Sequence, residues 1–227
     1  MDPASVFHDF GQIFLAPETW AVTARSLLVS TFASLIALCL GLALAQSLLE
    51  ARSRFARLMD ALLSAFVAIP AVVVGLLALI FFASPLFEGT QITLTLLPMI
   101  VAQAVLLTPL AATLSLQVLR ERNAQVGEEL RALGARKGRH IDALIRDTWP
   151  ALAATAVLVF SRGIAEVGTV LIIGGNVEGR TQVLTTLIAE QARNGVYESA
   201  VALAAILIVL ALVLSLLVRT LQRRHAP

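Results

Sequence analysis

Arg162 and Glu166 are the only charged residues between Pro150 and Ile173, and they stand four positions apart. On a helix that spacing puts both side chains on one face, where they can pair. Two kinds of chemistry fit the pair. It locks one helix to its neighbours, or it forms a gate or pathway element for a charged solute. At that spacing Arg162 is expected to neutralise Glu166 in either case. Just beyond lie Gly174, Gly175, Asn176, Arg180, Thr181, Thr185 and Thr186. They offer an amide, a guanidinium, three hydroxyls and, as an expectation, free backbone N–H groups at the two glycines. Such donors could line the entrance to a path through the membrane. The bland alternative is that they only cap a helix running from Thr181 to Arg193.

Other chemistry has few residues to work with. Cys39 is the single cysteine, and His8, His140 and His225 show no ligand spacing, so neither a disulfide nor a metal site is expected. The sequence holds no Gly-x-x-x-x-Gly-Lys-Ser/Thr loop to cradle phosphates, and neither a hydrolytic triad nor a zinc helix can be assembled from it. No enzyme activity and no cofactor are expected in this chain.

These residues must be positioned inside a bilayer. Of 227 residues 58% are hydrophobic and only 14% charged, against about 25% charged in an ordinary soluble domain. No charge occurs between Arg25 and Glu50, Asp60 and Glu88, Glu88 and Arg120, or Glu198 and Arg219, gaps of 24, 27, 31 and 20 residues. About 18 uncharged apolar residues suffice for a candidate span. Soluble, disordered and nucleic-acid-binding classes are thereby excluded. Spans are predicted at about 27–49, 59–82, 92–116 and 199–218. A fifth, at about 150–173, is apolar on both sides of Arg162 and Glu166. Pro70 and Gly75 interrupt the second span, and Pro98 and Pro109 the third. Such breaks are tolerated where freed backbone groups face other helices or a water-filled cavity.

Five spans put the termini on opposite sides. The segments 50–58, 120–147 and 219–227 carry 13 of the 17 basic residues, which sets them on the cytoplasmic side by the positive-inside rule. Residues 1–22 then form an outer segment, with a short interfacial helix expected over Val6–Phe14, 23–219 the membrane domain, and 220–227 a cytoplasmic tail. The start has neither the basic stretch nor the short apolar core of a secretory leader, so the chain is expected to insert as it stands.

The segment 120–147 is too long for a tight turn and too charged for lipid. Val126, Leu130 and Leu133 repeat at helical spacing, Gly134 would stop a short helix, and Ile141, Leu144 and Ile145 begin a second helix leading into the fourth span. The shape suits docking into another protein, and equally a solvated hairpin without a partner.

Glu128-Glu129-Leu130, three residues, then Gly134 resembles the Glu-Ala-Ala loop of ABC importer permeases, with Glu129 and Leu130 in place of the alanines. Arg162-Gly163-Ile164-Ala165-Glu166-Val167-Gly168, followed by Gly174-Gly175-Asn176 and Gly179-Arg180-Thr181-Gln182, is similar to the oxyanion branch of that family. With Val-Leu-Thr-Thr at 183–186 it looks most like the tungstate type, beside the molybdate and sulfate types. Ile69-Pro70-Ala71-Val72-Val73-Val74-Gly75 resembles the second-span motif of the same branch.

The resemblance implies an all-α, polytopic membrane protein of the type I ABC importer permease kind, with about five transmembrane helices and a cytoplasmic coupling-helix loop. It implies ATPase coupling by Glu128, Glu129, Leu130, Ala132, Leu133, Gly134, Ala135 and Gly138. It implies a translocation path or gate at Arg162, Glu166, Gly168 and Thr169, continuing through the outer residues named above. The expected partners are a cytoplasmic ATP-binding subunit that holds ATP and Mg, an extracytoplasmic substrate-binding protein, a second copy of the chain and the lipid bilayer. The expected location is a bacterial or archaeal cytoplasmic membrane, N-terminus out and C-terminus in. An ion-coupled carrier or channel using Arg162–Glu166 as its relay stays open as the alternative.

Overall fold

A computed structural model describes residues 11, 13–49, 51, 54–132 and 137–223. Helices make up nearly all of them: α1 (Pro17–Leu49), α2 (Arg54–Phe66), α3 (Ala71–Phe82), α4 (Leu96–Ala132), α5 (Lys137–Ile164), α6 (Gly168–Gly174), α7 (Leu184–Arg193) and α8 (Tyr197–Arg223). No strand occurs among the described residues. The helix expected over Val6–Phe14 falls largely outside them.

Among the described residues three helices, α1, α4 and α5, are long and apolar enough to cross a bilayer, and α8 contributes a shorter apolar stretch at Tyr197–Val213. α1 begins about ten residues before the expected span, opened by Pro17 at its first position, where a missing N–H costs nothing. Its 33 residues extend about 50 Å. Its inner face runs through Thr19, Val22, Thr23, Ser26, Val29, Ser30, Ala33, Ser34, Ala37, Gly41, Ala45 and Leu48, a stripe of small residues at helical spacing. Small side chains let membrane helices approach closely. A Cβ added at Gly41 would lie 2.7 Å from both Ala111 Cβ and the backbone nitrogen of Ala112 in α4. Around this contact Ala33, Ala37, Ala104, Leu107, Ala111 and Val159 join α1, α4 and α5 into one core.

The second expected span is two helices. α2 and α3 meet at 100° across residues 67–70. Each is too short to cross about 30 Å alone, so this segment is not a straight span. Pro70 supplies the reason, because it denies α3 a preceding helical N–H and holds φ at −59°. The third span differs in the opposite sense. Its helix starts at Leu96, takes Pro98 in its first turn and continues past Pro109 without a break. It runs on to Ala132, so no separate short helix exists over Val126–Leu130. The fourth span was expected unbroken over 150–173. Instead α5 runs from Lys137 through Pro150 to Ile164, and α6 starts afresh at Gly168.

Candidate functional site

The gap between α5 and α6 is made by side chains from elsewhere in the chain. Gln103 of α4 donates from Nε2 to the Gly163 carbonyl (2.5 Å), and Thr185 Oγ1 donates to the Glu166 carbonyl (2.9 Å). With these carbonyls drawn aside, the helix ends at Ile164 and restarts three residues later. Glu166 then serves the new helix, since its Oε1 accepts the Thr169 N–H at 3.3 Å. Its Oε2 lies 2.5 Å from Arg162 Nη1. The expected pair is therefore present, although Glu166 sits just beyond the helix rather than on it.

Burial of the pair is unequal. The Glu166 side chain is 4% exposed and that of Arg162 49%. The carboxylate is enclosed and hydrogen-bonded, as a charge in an apolar interior requires. The guanidinium, which has five N–H donors, faces outward with most of them unspent. What the site presents is a cation backed by its own neutralising group.

The break in α5–α6 meets the break in α2–α3. Thr169, fully buried, donates from Oγ1 to the Ala71 carbonyl at 2.9 Å. A Cβ on Gly168 would lie 2.8 Å from Val72 Cγ2, and one on Gly75 would lie 2.9 Å from both Cα and the carbonyl oxygen of Thr169. Gly75 and Gly168 are thus required for contact between two half-helices. Arg162, Glu166, Gly168 and Thr169 form one site, together with Pro70–Gly75.

The outer residues are spent differently from what their types suggested. Gly174 is the last residue of α6, and the Gly175 N–H donates to the Leu171 carbonyl at 3.0 Å, so the two glycines do not offer the free N–H groups expected of them. Their lack of Cβ has another use: a side chain there would collide with Met99 Sδ (2.8 Å) and Leu94 Cδ2 (2.9 Å) respectively. Gly175 also has φ of 66°, the left-handed end of the helix. Thr181 does not cap a helix. It donates to the Gly174 carbonyl (2.6 Å) and accepts the Val177 N–H (2.9 Å), closing the turn before α7. The helix begins at Leu184, and Thr186 Oγ1 accepts the Val183 N–H at its start (3.1 Å). Asn176 and Gln182 both donate to Glu190 Oε2, at 2.7 and 2.8 Å. Arg180 is exposed, and its backbone N–H donates to the Val177 carbonyl at 3.1 Å.

Several participants were not singled out from the sequence. Arg25 Nε donates to the Gln182 carbonyl (2.9 Å), and Ser26 Oγ accepts the Leu184 N–H (2.6 Å), so α1 carries the outer turn. Thr19, Thr23, Ser26, Ser30 and Ser34 make a buried hydroxyl ladder on α1, at spacings of four, three, four and four. That spacing was available as a signal. The Gln103–Gly163 bond, sixty residues apart, was not. A small cavity of about 10 Å³ beside Glu166 has Ser30, Gln103 and Thr185 in its lining together with Val29, Val170 and Val183.

At the opposite end of α5, Glu128, Glu129, Leu130 and Ala132 fall in the last turns of α4, and Gly138 in the first turn of α5. Leu133, Gly134 and Ala135 lie outside the described residues.

Comparison with known proteins completes the site. Residues 37–227 match the family of binding-protein-dependent transport system inner membrane components. The chain is 33% identical over 208 residues to a tungstate uptake system permease protein of Peptoclostridium acidaminophilum, covering 91% of each. It is 28% identical to a sulfate transport system permease protein of Escherichia coli, covering 95% of this chain and 80% of that one. Among solved structures it is similar in fold to a bacterial alginate ABC transporter in complex with an alginate-bound periplasmic protein. The TM-score there is 0.72 at 19% identity, with 95% of this chain and 82% of the other covered.

Proposed function

This chain belongs to the family of binding-protein-dependent transport system inner membrane components, and on that premise we propose that it is the permease subunit of an ATP-driven tungstate importer. The coarser statement, an ABC importer permease of the oxyanion type, rests on both the tungstate and the sulfate relatives. The observation that carries the finer one is the 33% identity to a tungstate permease across 91% of both chains.

The subunit works with a cytoplasmic ATPase, which binds ATP and Mg, and with an extracytoplasmic binding protein that delivers the anion. A second copy of the chain completes the path. The chain sits in the cytoplasmic membrane of a bacterium or archaeon, with residues 120–147 facing the ATPase and the outer turn 174–183 facing the binding protein. Supporting this reading is the way Arg162 and Glu166 are arranged. A guanidinium whose carboxylate partner is buried behind it tolerates a passing dianion, whereas an exposed carboxylate would oppose it. The Arg162–Glu166 turn, with Gly168 and Thr169, is the gate, and the residues from Gly174 to Thr186 hold its outer frame.

Tungstate, molybdate and sulfate are all tetrahedral dianions. A path whose half-exposed guanidinium is its main charged contact separates them poorly, and even tenfold discrimination needs about 1.4 kcal/mol. Selectivity therefore resides chiefly in the enclosed site of the binding protein. The test is uptake of labelled tungstate, molybdate and sulfate by cells with and without this gene. Loss of tungstate uptake alone is expected. Unchanged uptake of all three, with import of an organic solute lost, would overturn the oxyanion assignment.

A further inference from the structure

Three residues within one turn of α4, Arg120, Arg122 and Asn123, reach two other helices at the end of the molecule where α4 and α5 meet. Arg120 Nη1 lies 2.7 Å from Asp60 Oδ2 of α2. Arg122 pairs with Asp147 of α5 and donates to Gln125 Oε1 at 2.9 Å. Asn123 Oδ1 is 2.8 Å from His140 Nε2, and His140, at the start of α5, is 2% exposed. Beneath these links Leu48, Ala56, Leu63, Leu116, Leu119 and Leu144 form an apolar core that already joins α1, α2, α4 and α5.

Stability does not account for the polar links. The four ion-pair side chains are 31–46% exposed, and pairs that open to solvent contribute about 0–1 kcal/mol. Their placement is more informative. The segment 133–136 joins the end of α4 to the start of α5, and Arg122–Asp147 and Asn123–His140 bind those two helices just behind it. Arg120–Asp60 adds α2. From there two rigid routes lead to one place. α5 runs from His140 about 33 Å to Arg162 and the Glu166 turn. α2 leads through the bend at 67–70 to Ala71, whose carbonyl accepts the Thr169 hydroxyl on the far side of that turn.

We propose that Asp60, Arg120, Arg122, Asn123, His140 and Asp147 form a brace that transmits movement of the α4–α5 loop to the break at Glu166. They are positioning residues for coupled transport and touch neither anion nor nucleotide. The proposal rests on the reading of that loop as the ATPase contact. With the loop held to both helices, a push on it moves α5 and α2 as a unit. Without the brace, the long ends of α4 and α5 splay and the push is lost.

The experiment uses the permease reconstituted with its ATPase and binding protein in liposomes, supplied with tungstate or with sulfate. It compares Arg122→Asp, Asp147→Arg and the double reversal for assembly, for anion-stimulated ATP hydrolysis and for anion imported per ATP. Each single reversal is expected to keep the ATPase bound and to lower imported anion per ATP about fivefold, the low end of ordinary coupling between sites. The double reversal is expected to restore it to within about twofold of the unaltered complex. The neutral set Arg122→Gln, Asp147→Asn and both together decides the matter if a reversed helix fails to insert. Equal losses in the two singles, with no further loss in the double, support the brace. Unchanged transport per ATP in the singles, or additive losses in the double, would overturn it. Failure of the unaltered permease to bind the ATPase would overturn the loop reading and the brace together, whereas intact assembly with unaltered coupling in every variant removes the brace alone.

Discussion

Glu166 is 4% exposed while its partner Arg162 is 49% exposed, and that asymmetry fixes how the pair responds to substitution. Arg162→Gln leaves an enclosed carboxylate without its cation, the costlier of the two losses because an uncompensated buried charge remains. Glu166→Gln leaves a half-exposed guanidinium that solvent or headgroups can satisfy. It loses one charged hydrogen bond, about 1.5–3 kcal/mol. Thermal unfolding of the purified permease in detergent should therefore rank Arg162→Gln as the more damaging change, with the double variant no worse than Arg162→Gln. The reverse order would mean that Glu166 is not buried as described. The pair itself was legible in the sequence, because two charges four apart stood alone in an apolar stretch. The chemistry of the outer residues was not. Thr181, Thr185 and Asn176 are typical oxyanion donors by type, yet their hydroxyls and amide are engaged with Gly174, Glu166 and Glu190.

At the scale of elements, the contact between α3 and α6 decides whether the two broken helices stay joined. Gly75→Ala would put a methyl 2.9 Å from backbone atoms of Thr169, which no rotamer change can relieve. Overpacking of this kind costs about 1–3 kcal/mol. At Gly89, where an added Cβ meets nothing and φ is 81°, alanine brings only local backbone strain of about 1–2 kcal/mol. Gly75→Ala is expected to abolish anion uptake while Gly89→Ala retains it, both measured at equal membrane abundance. Retained uptake in Gly75→Ala would separate the α3–α6 contact from function. The sequence disclosed these elements unevenly. Runs without charge located α1, α4 and α8, because a bilayer demands apolar length and little else. Pro70 announced the bend between α2 and α3. The break after Ile164 was weakly marked, since Ala165-Glu166-Val167 contains neither proline nor glycine and the flanking Gly163 and Gly168 are ordinary in a membrane helix. That break depends on Gln103 and Thr185, which only the tertiary fold brings to it. The continuation of α4 to Ala132 was hidden for another reason, because the charges from Arg120 onward mark the end of an apolar span and do not show that the helix runs on through them.

For the whole molecule, sidedness is the first prediction. In a Cys39→Ser background, cysteines at Gly89 and Gly179, both exposed, should react with a membrane-impermeant thiol reagent applied to intact cells. A cysteine at Glu121, exposed at the opposite end, should react only after the cells are opened. Labelling of position 121 from outside would reverse the orientation and detach residues 120–147 from any cytoplasmic ATPase. The central claim, that this chain is the membrane path of an ATP-driven oxyanion importer, is tested most directly by reconstitution. Proteoliposomes containing the permease, its ATPase and its binding protein should accumulate labelled tungstate when ATP is enclosed at the ATPase side, and should accumulate none when ATP is omitted. Tungstate entry that is independent of ATP, or driven instead by an imposed ion gradient, would contradict the account.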